Sequence, residues 1–257
     1  MIQGQLSEWE LTSHVPTFSP QDVQIWKLSL KISEAMRAEL WLTLSLDEQE
    51  RAQRFIQPHD QLGFVAVRGQ LRWLLGQHLG IDPAAVTFSY GEKGKPRLAK
   101  GNGADLNLKF NLSHSHGIAL IALTTDQELG VDLEEISTRI DYEGITQRFL
   151  ASGEQEALFN QPEVQRCATF FQLWTRKEAC IKAMGGSIAQ GLEQIDVSMG
   201  LEQTTNTITL PQAGNISTTL FVHDLQPMTG YAGALATTSS ADNLQRYTLD
   251  FPASING

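Results

Sequence analysis

The segment VQRCATFFQLWTRKEACIKAM, residues 164–184, repeats apolar side chains at Cys167, Phe170, Phe171, Trp174, Ile181 and Met184, the spacing of a helix that lies on a core. Continuing that stripe asks for apolar residues at 177 and 178, where the chain has Lys177 and Glu178. Charges on the buried stripe of a helix are costly unless they pair or bind something, so this helix carries either an internal ion pair or a functional center. Lys182, one turn beyond Glu178, joins the same surface, and a Glu178–Lys182 salt bridge at the rim of the core is the plainer reading.

A second set of charges lies upstream. In LGVDLE, residues 129–134, the alternation of a strand turns Leu129, Val131 and Leu133 to one side and Asp132 and Glu134 to the other, about 7 Å apart. A solvated acidic face is one reading. Such a pair also suits a hard divalent cation, to which Glu178 could add a third oxygen. Magnesium takes few protein carboxylates beside substrate phosphates, whereas calcium asks for more oxygens than are evident, so the pattern points to phosphate chemistry.

Two loops could meet an anion. GEKGKPR, residues 91–97, sets Lys93, Lys95 and Arg97 on a glycine-containing turn, either a solvated basic turn or an anion contact. Its Gly-Lys is followed by Pro96 and lacks the spacing of a P-loop, which disfavors an ordinary ATPase. FNLSHSHG, residues 110–117, places His114 and His116 between two strands; the spacing suits zinc poorly without a third ligand, so one histidine is expected to bind an anion or close the turn.

Around these motifs, helices and strands alternate in both halves. Residues 1 to about 22 read as an irregular lead-in to a strand over Val23–Leu30. Ser45-Leu46-Asp47-Glu48 forms a capping box that starts a helix through Arg51 and Arg54, and a core helix runs from about Asp60 to Leu79, ending at Gly80. Phe110–Leu112, Ile118–Leu123 and Gly130–Ile136 read as strands, as do Ile195–Val197, Thr207–Leu210, Thr218–His223 and Tyr231–Thr237, and the last 15 or so residues look weakly structured. The polar turn Thr124–Glu128 divides an N-terminal lobe, 1–126, from a C-terminal lobe, 127–257, joined by too short a linker for the lobes to separate.

Composition narrows the function. The 257 residues are 41% hydrophobic and carry 19 Lys plus Arg against 29 Asp plus Glu, a net charge of −10 that argues against coating nucleic acid or an anionic membrane. Any anionic ligand must therefore meet a local basic cluster. Cys167 and Cys180 form no metal-ligand pattern and read as buried thiols. The acidic amino terminus is no signal peptide and the longest apolar stretch, Ile118–Leu123, is too short to span a bilayer, so a cytoplasmic protein is expected.

Taken together in their order and spacing, GKPRL, FNLSHS, LGVDLEEI and FFQLWTRKEACIKAMGGSI resemble the 4′-phosphopantetheinyl transferases of the longer, two-lobed type that includes the surfactin-synthetase-activating enzyme, over roughly Ser45 to Ile195. GVDLE with WxxKEAxxK is the specific part. The resemblance implies an α/β (α+β) fold of two similar lobes related by pseudo-twofold symmetry, with the active site in the cleft between them. It implies transfer of the phosphopantetheine arm of coenzyme A to a serine of an apo acyl, peptidyl or aryl carrier protein, with release of adenosine 3′,5′-bisphosphate.

By motif, the resemblance makes Asp132, Glu134 and Glu178 the magnesium ligands, with Glu178 the general base and Lys182 the group that steadies or protonates the leaving phosphate. Lys177 and Lys182 would meet the cofactor's phosphates, Lys93, Gly94, Lys95 and Pro96 would hold the nucleotide end, Ser113 and His114 would touch its phosphates, and Arg51 would add a basic contact. The chain departs from the family pattern at Glu48, where some members carry a lysine, and at Gln61-Leu62-Gly63, which lacks a frequent arginine; Arg68 is the substitute that the sequence offers. Apolar contacts near Arg148-Phe149-Leu150 are the expected carrier-docking point. A monomer is expected, because one chain supplies both lobes. The alternative is a non-catalytic coenzyme A or carrier-protein binding module, which expects missing ligands; the three carboxylates and both lysines are all present.

Overall fold

The computed structural model describes residues 9–19, 21–91, 94–102, 107–186, 192–201, 203, 205–211, 217–241 and 243–251. In chain order, the first half contains β1 (Glu10–Thr12), β2 (Asp22–Ser29), α1 (Glu34–Thr43), α2 (Leu46–Gln53), α3 (Pro58–Leu79), β3 (Phe88–Tyr90), β4 (Pro96–Leu98), β5 (Lys109–Ser115) and β6 (Ile118–Thr124). The second contains β7 (Leu129–Glu135), α4 (Tyr142–Phe149), α5 (Ser152–Phe159), α6 (Glu163–Ala183), β8 (Thr205–Pro211), β9 (Ser217–Leu225), β10 (Tyr231–Thr237) and β11 (Asn243–Leu249).

Two sheets pack face to face, with α3 outside one and α6 outside the other. The strand alternation explains why. On β6, Ala119, Ile121 and Leu123 face the α3 core, while Leu120 and Ala122 join Val131, Leu133 and Leu235 in a core between the sheets. A sheet covered on both faces reads as a continuous apolar run, as Ile118–Leu123 does. On β7, Leu129, Val131 and Leu133 enter the inter-sheet core, which leaves Asp132 and Glu134 for the opposite face as the alternation predicts.

The two lobes repeat one plan. Each has a first strand, a set of helices ending in a long one, and two further strands of which the second pairs with the first, giving the orders β2-β6-β5 and β7-β10-β9. This repeat is the two-lobed α/β architecture that the family resemblance implies. The sheets change hands between Thr124 and Leu129, close to residue 126, but β11 returns to the first sheet between β1 and β2. A cut at 126 therefore separates the sheets except for that strand.

Two local expectations are corrected. The final stretch is not weakly structured throughout: Asn243–Leu249 forms β11, held parallel to β2 and tied to it by the Asn243 amide donating to Asp22. Ile195–Val197 is no strand, because side chains satisfy its backbone: Lys177 donates to Ile195 O, Arg176 to Val197 O, and Val197 N–H donates to Glu154. Cys180 is buried, whereas Cys167 is only half-buried. Among the described residues, no helix is long and apolar enough to cross a membrane.

The helix ends place parts of the site. Glu48 returns the capping-box bond to Ser45 N–H at 3.0 Å, and α3 ends at Gly80 in the left-handed conformation. At the end of α6, Gly185 and Gly186 both have positive φ, and Gly186 N–H donates to Ile181 O at 2.8 Å, turning the chain sharply beside Lys182.

Candidate active site

The site forms where the lobes meet. β5 and β7 lie side by side but belong to different sheets, and side chains of β5 take the place of a backbone ladder. Asn111 Oδ1 accepts from Val131 N–H at 2.9 Å and Ser115 Oγ accepts from Glu135 N–H at 3.1 Å. Between them, Ser113 Oγ donates to Asp132 Oδ1 at 2.9 Å. Three alternate residues of one strand thus read the other.

Lys182 completes this junction. Its ammonium donates to Asp132 Oδ1 at 2.6 Å, Ser113 Oγ at 3.1 Å and Val131 O at 3.2 Å. Asp132 is 4% exposed and its other oxygen, Oδ2, is buried without a hydrogen-bond partner among the described residues. A buried carboxylate oxygen left alone is expensive, so this atom is poised for a positive ligand. Burial, and then the charge of Asp132, raise the pKa of both Glu134 and Glu178, so Asp132 is within electrostatic reach of each. Among the described residues, no three His, Cys, Asp or Glu side chains are gathered tightly enough to cage a metal by themselves. Asp132 Oδ2 and the neighboring Glu134 are carboxylate oxygens of the kind that magnesium takes beside phosphates, so the chemistry of the donors fits that ion.

Next to the carboxylates opens a cleft of about 1170 Å³. Among the described residues, Lys31, Arg37, Arg51, Arg68, Lys95 and Lys182 line it against one acid, Asp60. In a chain of net charge −10 this is the local basic cluster that an anion requires. Leu30, Ile32, Phe55, Phe64, Val67 and Phe110 supply an apolar portion of the wall. His114 also lines it, and burial, followed by nearby Lys182, lowers its pKa, which favors a neutral ring.

Of the residues expected at the site, Arg51, Gly94, Lys95, Pro96, His114 and Lys182 line the cleft, while Ser113, Asp132 and Glu134 lie on the adjoining seam. Lys93 lies outside the described residues. Lys95 is largely committed to backbone: its ammonium donates to Lys182 O at 2.7 Å and to Leu129 O at 3.3 Å, latching the 91–97 loop to the carbonyl end of α6.

Lys177 does not reach the cleft, contrary to expectation. It is fully buried, paired with Glu154 at 2.7 Å, and donates to Leu192 O and Ile195 O. Burial raises the pKa of Glu154 and lowers that of Lys177. The Glu178–Lys182 pair is also replaced, since Lys182 turns to Asp132.

Other residues were missed. Ser115 donates to Glu134 Oε2 at 3.2 Å, and Lys31 and Arg37 line the cleft; nothing in their local pattern marks them. Arg68 and Arg72 did carry a signal, as charges within the buried run VAVRGQLRWLL. Both donate through Nε to buried Glu48 at 2.6 Å, and Arg68 stacks 4.0 Å over Phe88 and donates to Tyr90 OH at 2.5 Å. Glu48 is therefore the anion between two arginines.

Two family models match the chain: the 4′-phosphopantetheinyl transferase superfamily over residues 128–236 and the N-terminal region of 4′-phosphopantetheinyl transferases over residues 33–126. The chain is 40% identical over 183 residues to the 4′-phosphopantetheinyl transferase HetI of Nostoc sp., covering 71% of this chain and 76% of that protein. It is 38% identical over 152 residues to a putative 4′-phosphopantetheinyl transferase of Synechocystis sp., 59% and 61% of the two chains. The similarity to 4′-phosphopantetheinyl transferase psf-1 of Bacillus pumilus is 29% over 189 residues, 74% and 78%.

Proposed function

The chain belongs to the 4′-phosphopantetheinyl transferase superfamily, and from that membership we propose that its cleft moves the phosphopantetheine arm of coenzyme A onto a serine of an apo acyl, peptidyl or aryl carrier protein. The observation that carries the reading to this site is Asp132, with one oxygen fixed by Lys182 and Ser113 and the other buried and unpaired, beside a cation-lined cleft. The mixed cationic and apolar wall suits a donor with phosphates at one part and an uncharged arm at another. Both walls come from one chain, which supports a monomeric enzyme.

Asp132, Glu134 and Glu178 would hold magnesium, which when bound offsets negative charge on the pyrophosphate of coenzyme A. The remaining chemistry falls to the chain's own groups. Glu178 takes the proton of the carrier serine as that oxygen attacks the phosphorus bearing the pantetheine arm. The bond from this phosphorus to the bridging oxygen breaks, and Lys182 donates to the departing adenosine 3′,5′-bisphosphate. Raised by burial, Glu178 is a stronger proton acceptor once ionized than a solvated glutamate. Arg51, Arg68 and Lys31 supply cations for phosphates farther along the cleft, and Gly94 and Pro96 shape the loop wall.

The test is intact-mass spectrometry of an apo acyl carrier protein incubated with this protein, coenzyme A and magnesium. A gain of one phosphopantetheine group, lost with EDTA and in Asp132→Ala, is expected. Transfer that survives both treatments would overturn the assigned metal site, and absence of transfer to several carriers would favor a binding module.

A further inference from the structure

The hydrogen bonds across the lobe boundary are unevenly explained by the transfer reaction. Asn111 only caps a backbone N–H of β7, as is common where an exposed strand edge is covered. Ser113 and Ser115 do more, because each hydroxyl accepts one bond and donates another to a carboxylate. Ser113 accepts from Lys182 and donates to Asp132; Ser115 accepts from the Glu135 N–H at 3.1 Å and donates to Glu134 Oε2 at 3.2 Å. His116 Nδ1, at 3.4 Å, is the more distant alternative partner of Ser115.

The backbone bond to Glu135 fixes where the Ser115 oxygen sits, and the alternation of β5 aims it at the same face as Ser113. The first lobe thus presents two hydroxyls, two residues apart, to two carboxylates two residues apart on the second. Carboxylates that bind metals are in turn hydrogen-bonded by outer groups that set their orientation.

We propose that Ser115 is a positioning residue of the cation site: its hydroxyl, delivered from the first lobe, orients the Glu134 carboxylate, so that cation affinity depends on the two lobes being docked. The inference rests on the reading of Asp132 and Glu134 as cation ligands.

Titration of the unliganded protein with Mn²⁺, followed by the loss of the free-ion electron paramagnetic resonance signal, tests it without turnover. Ser115→Ala is expected to weaken Mn²⁺ binding about 10-fold, while Ser115→Thr, which keeps the hydroxyl, stays within about 2-fold of the parent. Metal-free coenzyme A binding should be unchanged in both. Asp132→Ala, run alongside, should abolish binding. If Asp132→Ala abolishes it but Ser115→Ala leaves affinity unchanged, the positioning role is overturned and the cation site stands; if Asp132→Ala has no effect, the cation site itself fails. Thermal melts establish that each variant is folded, and should Ser115→Ala not fold, Ser115→Cys, of similar size and a weaker donor, must show weakened binding or the proposal fails.

Discussion

Lys177 and Lys182, five residues apart on α6, leave the helix in different directions and serve different parts of the molecule. Lys182 reaches Asp132 at the lobe boundary, whereas Lys177 is sealed in the second lobe against Glu154. Removing one member of a buried pair strands the other's charge, so Lys177→Met should cost about 3–5 kcal/mol in urea unfolding. The double variant Lys177→Met with Glu154→Leu should recover most of that loss, and neither change should alter coenzyme A affinity of the folded protein. A Lys177→Met protein of parental stability but weakened coenzyme A binding would restore Lys177 to the cleft. The sequence disclosed that 177 and 178 were anomalous but not where each charge goes. That depends on Glu154, which lies on α5 and is tied to the start of its own helix by a bond from Ala151 N–H, so no spacing rule connects it to Lys177. The same test of misplaced charge, applied to α3, would have found Arg72 beside the Arg68 that the family pattern had already singled out.

At the scale of elements, the decisive contact is α6 on β7. Gly130 permits it: a Cβ there would run into the backbone of α6 at Ala179 O and Ala183 N. Backbone cannot swing aside as a side chain can, so Gly130→Ala should destabilize by about 1–3 kcal/mol and lower turnover, because the same helix carries Glu178 and Lys182. Urea unfolding together with kcat checks this, and an unchanged midpoint would show that α6 sits farther from β7. Here the sequence was legible where periodicity is strong. α3, α6 and the in-and-out pattern of β7 follow from spacing alone. Ile195–Val197 misled because Ile195 and Val197, β-branched and alternating with Asp196, resemble a strand whether the backbone is met by a neighboring strand or, as here, by Lys177, Arg176 and Glu154. β11 was missed for a related reason: its alternation is weak, and its partner β2 is some 220 residues distant, as the Asn243–Asp22 separation of 221 shows.

Across the whole molecule, a chain of net charge −10 brings six of its 19 Lys and Arg residues to one cleft, and local sequence could not show this because Lys31, Arg51, Lys95 and Lys182 come from separate segments. The lobes also share an acid sensitivity. His78 in the first and His223 in the second each bury an Nε2 without a partner among the described residues, and burial lowers both pKa values from 6.5 to about 4. Their folded values lie below the unfolded one, so between pH 6.5 and 4 the unfolded chain holds the extra protons and acid favors unfolding. Stability attributable to these rings should be full near pH 7 and fall as pH drops through 6 and 5. Melting followed by circular dichroism should show this loss, and His223→Gln should flatten it relative to the parent; an equal slope in the variant would exclude His223 as a cause.

The return of β11 has a consequence for how the protein is made. On the ribosome, β2 emerges early, yet the strand that lies between it and β1 follows some 220 residues later, as the Asn243–Asp22 separation of 221 shows. Until then the first lobe must wait with one edge of β2 open, while β7 to β10 can already assemble beside it. The second lobe carries the carboxylates and the first carries the hydroxyls that meet them, so a nascent chain would hold Asp132 and Glu134 before the opposite wall is fully secured. Late closure by a single strand means that a chain stalled before β11 would be exposed to pairing at that open edge.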